Sequence, residues 1–188
     1  MAENGIAKTR GFSSRMLNNE NTLIDSIASS DEFWEFEMSS ELLADKFHEY
    51  TSTLSEEEYD KLMENLNDDD YMEDFARKAN LQDELQQMAK AKEKLIQHTG
   101  FLRLSEDERI QLFILYAESN ELTKVKLLKT REEGGGTSNC EEQKQAAYTQ
   151  AKADYDNAVT NCQSGSMSSG CLIQAAAKYD RACLLYTS

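Results

Sequence analysis

Residues 29–50 read Ser-Ser-Asp-Glu-Phe-Trp-Glu-Phe-Glu-Met-Ser-Ser-Glu-Leu-Leu-Ala-Asp-Lys-Phe-His-Glu-Tyr and predict an amphipathic helix. Ser29 followed by Glu32 forms a capping box, a pairing that satisfies the backbone N–H groups at the start of a helix. Apolar side chains then recur at helical spacing, which predicts a buried stripe. Its predicted members, with Trp34 expected in the core, are Phe33, Trp34, Met38, Leu42, Leu43 and Phe47.

The same start signal occurs three more times, which extends the helical pattern along the chain. The pairs are Ser55 with Glu58, Asp70 with Glu73, and Ser105 with Glu108. They predict a short helix to about residue 66, a long helix to about residue 98 that Gly100 terminates, and a central helix to about residue 129. Because the sequence contains no proline and few strong turn signals, we predict an all-α fold.

Composition divides the chain into five predicted segments. They are a flexible tail (1–19), an acidic helical bundle (20–131), a Gly-rich linker (132–139), a cysteine-flanked helical hairpin (140–182) and a terminal hexapeptide (183–188). The linker reads Glu-Glu-Gly-Gly-Gly-Thr-Ser-Asn, so we expect the hairpin to be a separate module. Most of the net charge of −15 comes from residues 20–76, which hold 19 acidic and two basic side chains.

Four cysteines lie in the C-terminal third, and two of them flank a Gly/Ser-rich loop. Alanine and tyrosine recur at helical spacing on both sides of this loop, which predicts two antiparallel helices in close contact. Cys162 and Cys171 then face each other at the turn, where a disulfide would join the helix ends. The spacing lacks the Cys-x2-Cys pair typical of zinc sites. Reduced thiols in a cytosolic protein are the alternative.

Residues 183–188, Cys-Leu-Leu-Tyr-Thr-Ser, match the translation of a widely used transposon-end sequencing adaptor. We therefore predict that this hexapeptide is adaptor read-through, that the 140–182 hairpin is truncated, and that Cys183 is not native. On this hypothesis the native partner of Cys140 lies about 20 residues beyond Cys171, because each helical residue rises 1.5 Å.

The search for chemistry finds no catalytic motif, and we predict no enzyme activity, cofactor or metal. His48 and His98 each lie near a predicted helix C-terminus, where a cation is favourable. The acidic composition disfavours nucleic acid as a partner, and no apolar run approaches the length of a membrane span. The densest carboxylates are candidates for a surface that contacts a protein partner: Glu56, Glu57, Glu58, Asp68, Asp69 and Asp70.

Two functions fit these patterns. The first is a non-enzymatic exported protein, secreted or periplasmic, whose disulfide-stapled hairpin engages another protein. Residues 1–19 contain no apolar stretch typical of a signal peptide, which favours the alternative. That alternative is a cytosolic acidic inhibitor or adaptor that binds a basic protein.

Overall fold

The computed structural model describes residues 22–129, 139–163 and 168–187. The helices are α1 (Thr22–Ala28), α2 (Asp31–Thr51), α3 (Glu56–Glu64), α4 (Asp69–Lys78), α5 (Gln82–Gln97), α6 (Thr99–Leu102), α7 (Glu106–Lys129), α8 (Asn139–Asn161) and α9 (Ser168–Thr187). The described residues contain helices and turns but no strand, which confirms the all-α prediction. The predicted tail, most of the predicted linker and the centre of the hairpin loop lie outside them.

Two of the four predicted capping boxes begin helices as expected. At α3, the Ser55 backbone N–H donates to Glu58 Oε2 at 2.9 Å and the Glu58 N–H donates to Ser55 Oγ at 3.2 Å. Ser105 and Glu108 make the same reciprocal pair at the start of α7, at 2.7 and 3.3 Å. Residues close in sequence are sufficient to predict these two helix starts, because each capping box satisfies backbone N–H groups that have no partner within the helix.

The predicted start of α2 is wrong by one residue. Ser30 is the N-cap, and its Oγ accepts a hydrogen bond from the Phe33 N–H at 3.2 Å. Ser29 belongs instead to the end of α1, where its Oγ donates to the Asp25 carbonyl at 2.8 Å. The sequence pattern did not predict α1. Because Ser29 bonds to the end of that helix, Ser30 and not Ser29 occupies the capping position of α2.

The predicted long helix of residues 70–98 is two helices, α4 and α5, separated at Asn80. Asp68, not Asp70, caps α4 by accepting the Tyr71 N–H at 3.1 Å. Asn80 has a positive φ of 55°, and the Leu81 N–H bonds the Ala76 carbonyl at 2.9 Å. This is the bonding pattern of a Schellman motif, and asparagine tolerates its left-handed position better than most residues do.

Gly100 does not follow a helix end as predicted but lies inside the short helix α6. A Cβ at this position would come within 3.0 Å of Ile27 Cγ1, so the glycine permits close packing against α1. His98 caps α6 by accepting the N–H groups of Gly100 and Phe101 at Nδ1. His98 is also the C-cap of α5, so it lies at a helix C-terminus as expected, and the sequence did not indicate that its ring begins the next helix.

Aromatic side chains form the centre of the core around α7. Phe113 lies 6.2 Å from Phe33, 5.7 Å from Phe36 and 6.3 Å from Phe101, measured between ring centroids. Offset and tilted ring pairs at this separation add stability beyond the area they bury. The apolar run in α7 is therefore central to the fold, and α2 supplies two of its partners.

The hairpin helices α8 and α9 pack against each other and share this core, so the expectation of a separate module is corrected. Both helices contribute buried side chains, including Tyr155, Val159 and Ile173, to the cluster that contains α2, α4 and α5. Two alanine-rich helices bury little apolar surface by themselves. Packing them on the larger bundle supplies the area that a free hairpin lacks.

Candidate functional site

Cys162 and Cys171 form the predicted disulfide, with their Cα atoms 5.8 Å apart. This bond joins the end of α8 to α9. The sequence analysis missed the lysine behind it. Lys92 is fully buried on α5, and its Nζ donates to the Cys162 carbonyl oxygen at 2.7 Å. A cation at the C-terminal end of α8 is favourable. The disulfide closes the hairpin loop, and the hydrogen bond from Lys92 connects that loop to α5 of the bundle.

The six acidic candidates are all exposed, but they occupy two separate helix starts. Glu56, Glu57 and Glu58 form the first turn of α3, and Glu58 is engaged in the capping box. Asp68 caps α4, and Asp69 and Asp70 begin it. Helix capping thus accounts for two of the six, Glu58 and Asp68, and the other four carboxylates are exposed without a capping role. No described residue forms an ion pair with any of the six.

A buried ionic cluster, formed by Glu37, Ser40, Lys152 and Asp156, joins α2 to α8. The Lys152 Nζ donates to Glu37 Oε2 at 2.8 Å, to Ser40 Oγ at 3.1 Å, and to both carboxylate oxygens of Asp156 at 2.8 and 2.7 Å. Ser40 donates its hydroxyl to Asp156 at 2.6 Å. The Tyr155 hydroxyl adds a hydrogen bond to the Ser40 carbonyl at 3.0 Å.

Two carboxyl groups and one ammonium group share this buried ionic cluster, and the pKa values of Glu37 and Lys152 are shifted. Burial, reinforced by the charge of Asp156, raises the pKa of Glu37 well above its usual range. Burial alone would lower the pKa of Lys152, but the charges of Asp156 and Glu37 outweigh it and raise that pKa well above its usual range. Lys152 therefore stays charged and Glu37 favours its neutral form.

A second polar set, the Asp180 cluster, holds the other end of the hairpin to the bundle. The buried Asp180 carboxylate on α9 accepts hydrogen bonds from Thr51 Oγ1 at 2.9 Å and from the Tyr59 hydroxyl at 3.2 Å. His48 Nδ1 lies 2.7 Å from its other oxygen. Burial, aided by the charge of Asp180, raises the pKa of Tyr59. The carboxylate thus joins α9 to α2 and α3.

The His48–Asp180 pair does not have the arrangement of a catalytic base beside a nucleophile. A nucleophilic hydroxyl must lie within hydrogen-bond reach of the base that activates it. The hydroxyls of Thr51 and Tyr59 both donate to Asp180, and Thr51 also donates to the His48 backbone carbonyl, so among the described residues neither hydroxyl is bonded to the His48 imidazole. The pair therefore orients the imidazole and secures the helix packing. The sequence indicated only that His48 lies near a helix end. It did not indicate that Asp180, 132 residues away, is its partner.

An alanine-lined groove of about 610 Å³ runs between α8 and α9. Tyr155 and Tyr179 stack within it, with ring centroids 5.1 Å apart. The alanines lining it are those predicted for the helix seam, together with Ala147: Ala147, Ala151, Ala158, Ala175 and Ala182. Small side chains on both helices let the backbones approach closely, so the groove is explained by the helix contact itself.

Three large apolar side chains of α2, here called the outer stripe, are exposed. Trp34 is 37% exposed, Met38 52% and Leu42 42%. This contradicts their predicted place in the core. The spacing of four residues puts them on one side of α2, while Phe33, Leu43 and Phe47 of the same helix are buried as predicted. The spacing of apolar residues alone does not show which side of α2 is buried, because α2 carries apolar residues on both sides.

Within the described residues, no cluster of histidine, cysteine and carboxylate side chains has the form of a metal site. None of the helices searched there is long and apolar enough to cross a membrane. The chain matches no family model, no curated protein and no solved structure. The function must therefore be argued from the surface and the buried polar contacts of this chain.

Proposed function

We propose that this protein is a non-enzymatic helical module that binds another protein through the outer stripe of α2. The observation that carries the proposal is the exposure of Trp34, Met38 and Leu42 in one row. Tryptophan and methionine are enriched at the centres of protein interfaces, and tryptophan is prominent among residues that dominate binding energy. Contiguous exposed apolar surface bordered by polar residues is a feature of protein interaction sites.

The disulfide-stapled hairpin supports this role by holding α2 in place. The buried ionic cluster fixes α8 against the inner side of α2, and the Asp180 cluster fixes α9 against its C-terminal end. A rigid helix loses less conformational entropy when a partner binds its outer side. In this proposal the hairpin contributes by preorganising the contact surface. The buried ionic cluster and the Asp180 cluster contribute by holding the helices in their packed arrangement.

We further propose that the protein works in an oxidising compartment outside the cytoplasm. The support is the Cys162–Cys171 disulfide, since such bonds persist in secreted and periplasmic proteins and are rare in the cytosol.

Selection from a displayed library of random helical peptides tests the binding surface directly. The bait is the full oxidised chain. Peptides that also bind the double variant Met38→Gln/Leu42→Gln are discarded. We expect peptides that bind the wild-type chain and the control Leu102→Gln alike, because Leu102 is equally apolar and 59% exposed but lies on α6. If every enriched peptide binds the double variant as well as the wild type, the outer stripe is not a binding surface.

A cytosolic acidic inhibitor or adaptor is the second candidate. The observation that favours it is the exposure of all six acidic candidates without ion pairs to described residues. For this function we expect partner binding that survives reduction of the disulfide and weakens when Glu56, Glu57, Asp69 and Asp70 become amides. Binding that depends on the outer stripe and not on these four carboxylates would exclude it.

A further inference from the structure

The exposed side of α2 is acidic as well as apolar. An exposed carboxylate precedes the outer stripe at Asp31, another lies within its span at Glu35, and two follow it at Asp45 and Glu49. Glu35 is paired with Lys94, at 2.8 Å. The one lysine of α2, Lys46, contacts Glu84 on α5 at 2.7 Å, and His48 of the same helix contacts Asp180. The negative charge next to the outer stripe is therefore concentrated at Asp45 and Glu49, beyond its C-terminal end.

Asp45 and Glu49 are placed against the electrostatic preference of their own helix. Glu49 is in the last turn of α2, where the helix dipole favours cations, and Asp45 lies about one turn before it. They also stand four residues apart, a spacing at which like charges repel. Glu49 lies within electrostatic reach of Lys46, three residues before it, and a positively charged partner would complement both carboxylates.

We propose that the partner segment recognised by α2 is a basic amphipathic helix, with an apolar side bordered by lysine or arginine. This inference rests on the proposed function of the outer stripe. Its apolar side would cover Trp34, Met38 and Leu42, which span about 12 Å of helix. Its basic residues would meet Asp45 and Glu49 beyond the stripe. The contact surface from residue 34 to residue 49 is about 22 Å long, equivalent to about four turns of a partner helix.

Trp34 provides a direct readout because it is the single tryptophan of the chain. The probes are three designed helical peptides of about fourteen residues, each with leucine on one side and lysine, glutamine or glutamate on the other. Titration into the full oxidised chain is followed by the emission of Trp34, which shifts to shorter wavelength when the indole is covered. We expect the lysine peptide to bind at least about tenfold more tightly than the glutamine peptide, and the glutamate peptide to bind most weakly.

Charge variants separate this face from the other acidic surface. Asp45→Asn/Glu49→Gln should weaken the lysine peptide by about threefold to tenfold and reduce the salt dependence of its binding. The matched control Glu56→Gln/Glu57→Gln removes the same charge from α3 and should change the affinity by less than about twofold. Equal loss in both variants would mean that net charge alone attracts the peptide, and it would overturn the inference.

The remaining outcomes distinguish the inference from the proposed function. Three peptides of equal affinity, all weakened by Met38→Gln/Leu42→Gln, would overturn the basic partner and leave the binding surface standing. A lysine peptide that binds this double variant as tightly as the wild type would overturn both. Sedimentation of the protein alone completes the test. A dimer that the double variant abolishes would identify a second copy as the occupant and overturn the inference.

Discussion

Replacement of Lys152 by methionine should destabilise the protein severely, because it leaves two buried carboxyl groups without their cation. The Lys152 Nζ makes hydrogen bonds of 2.7–2.8 Å to Asp156 and Glu37 and a longer one to Ser40. Hydrogen bonds to charged groups contribute about 1.5–3 kcal/mol each, which gives about 3–6 kcal/mol for the two carboxyl partners. Removal of one member of a buried ion pair costs about 3–5 kcal/mol, so the two estimates agree.

Urea denaturation of the oxidised protein at pH 7, followed by helical circular dichroism, measures this loss. For a chain of this length, 3–5 kcal/mol corresponds to a Tm lower by about 6–20 °C. Lys90→Met is the matched control, since Lys90 is an exposed lysine on α5, and it should change stability by less than about 0.5 kcal/mol. The triple replacement Glu37→Met/Lys152→Met/Asp156→Leu should recover most of the loss, because no buried charge is then unpaired.

The reasoning is refuted if Lys152→Met unfolds at the same urea concentration as Lys90→Met. That result would mean that the buried ionic cluster is open to water and that its charges are screened. A triple variant less stable than Lys152→Met alone would also contradict it, because the loss would then come from packing and not from an unpaired charge.

Three further predictions address the pH dependence, the disulfide and the break between α4 and α5. Because the pKa of Glu37 is raised in the folded state, its contribution to stability is present below about pH 4.5 and is lost as the pH rises through the folded pKa. Glu37→Gln, which stays neutral, should therefore gain stability over the wild type between pH 4 and pH 8 in urea titrations, and a difference that does not change with pH would contradict this. Cys162→Ala/Cys171→Ala should lose about 2–3 kcal/mol, the value for a closed loop of about ten residues, and a reductant should lower the Tm of the wild type but not of this variant. Asn80→Ala should cost about 1 kcal/mol because alanine is strained at a φ of 55°, whereas Asn80→Gly should retain wild-type stability; equal Tm values for the two would contradict the Schellman assignment.

The parts of the fold that were predictable are those that short segments decide alone. The boxes Ser55–Glu58 and Ser105–Glu108 each close within four residues, so their chemistry is legible in the sequence. The disulfide was predictable for a similar reason, since Cys162 and Cys171 are only nine positions apart. The Schellman turn at Asn80 had a local signal too, an asparagine after a basic helix end, but the continuous apolar pattern concealed it.

The candidate surface could not be predicted, because burial depends on which side of a helix the rest of the chain covers. Trp34 and Phe33 are neighbours in a helix with apolar residues on both sides, and the sequence pattern treats them alike. Phe33 is buried because Phe113 and Tyr116 of α7 pack against it, and Trp34 is left outside. The acidic candidates were correctly expected to be exposed, since charged residues are rarely buried without partners.

The sequence by itself determined that this chain is helical, where two of its helices begin, and which two cysteines close the hairpin. Each of these depends on residues within about ten positions of one another, so backbone hydrogen bonding and chain connectivity decide them. Only the tertiary structure decided that the hairpin joins the core of the bundle, that Lys152 and Asp180 become buried, and that one side of α2 stays exposed. Those outcomes require partners more than 100 residues away, and the free energy of burying a group depends on every surface that meets it.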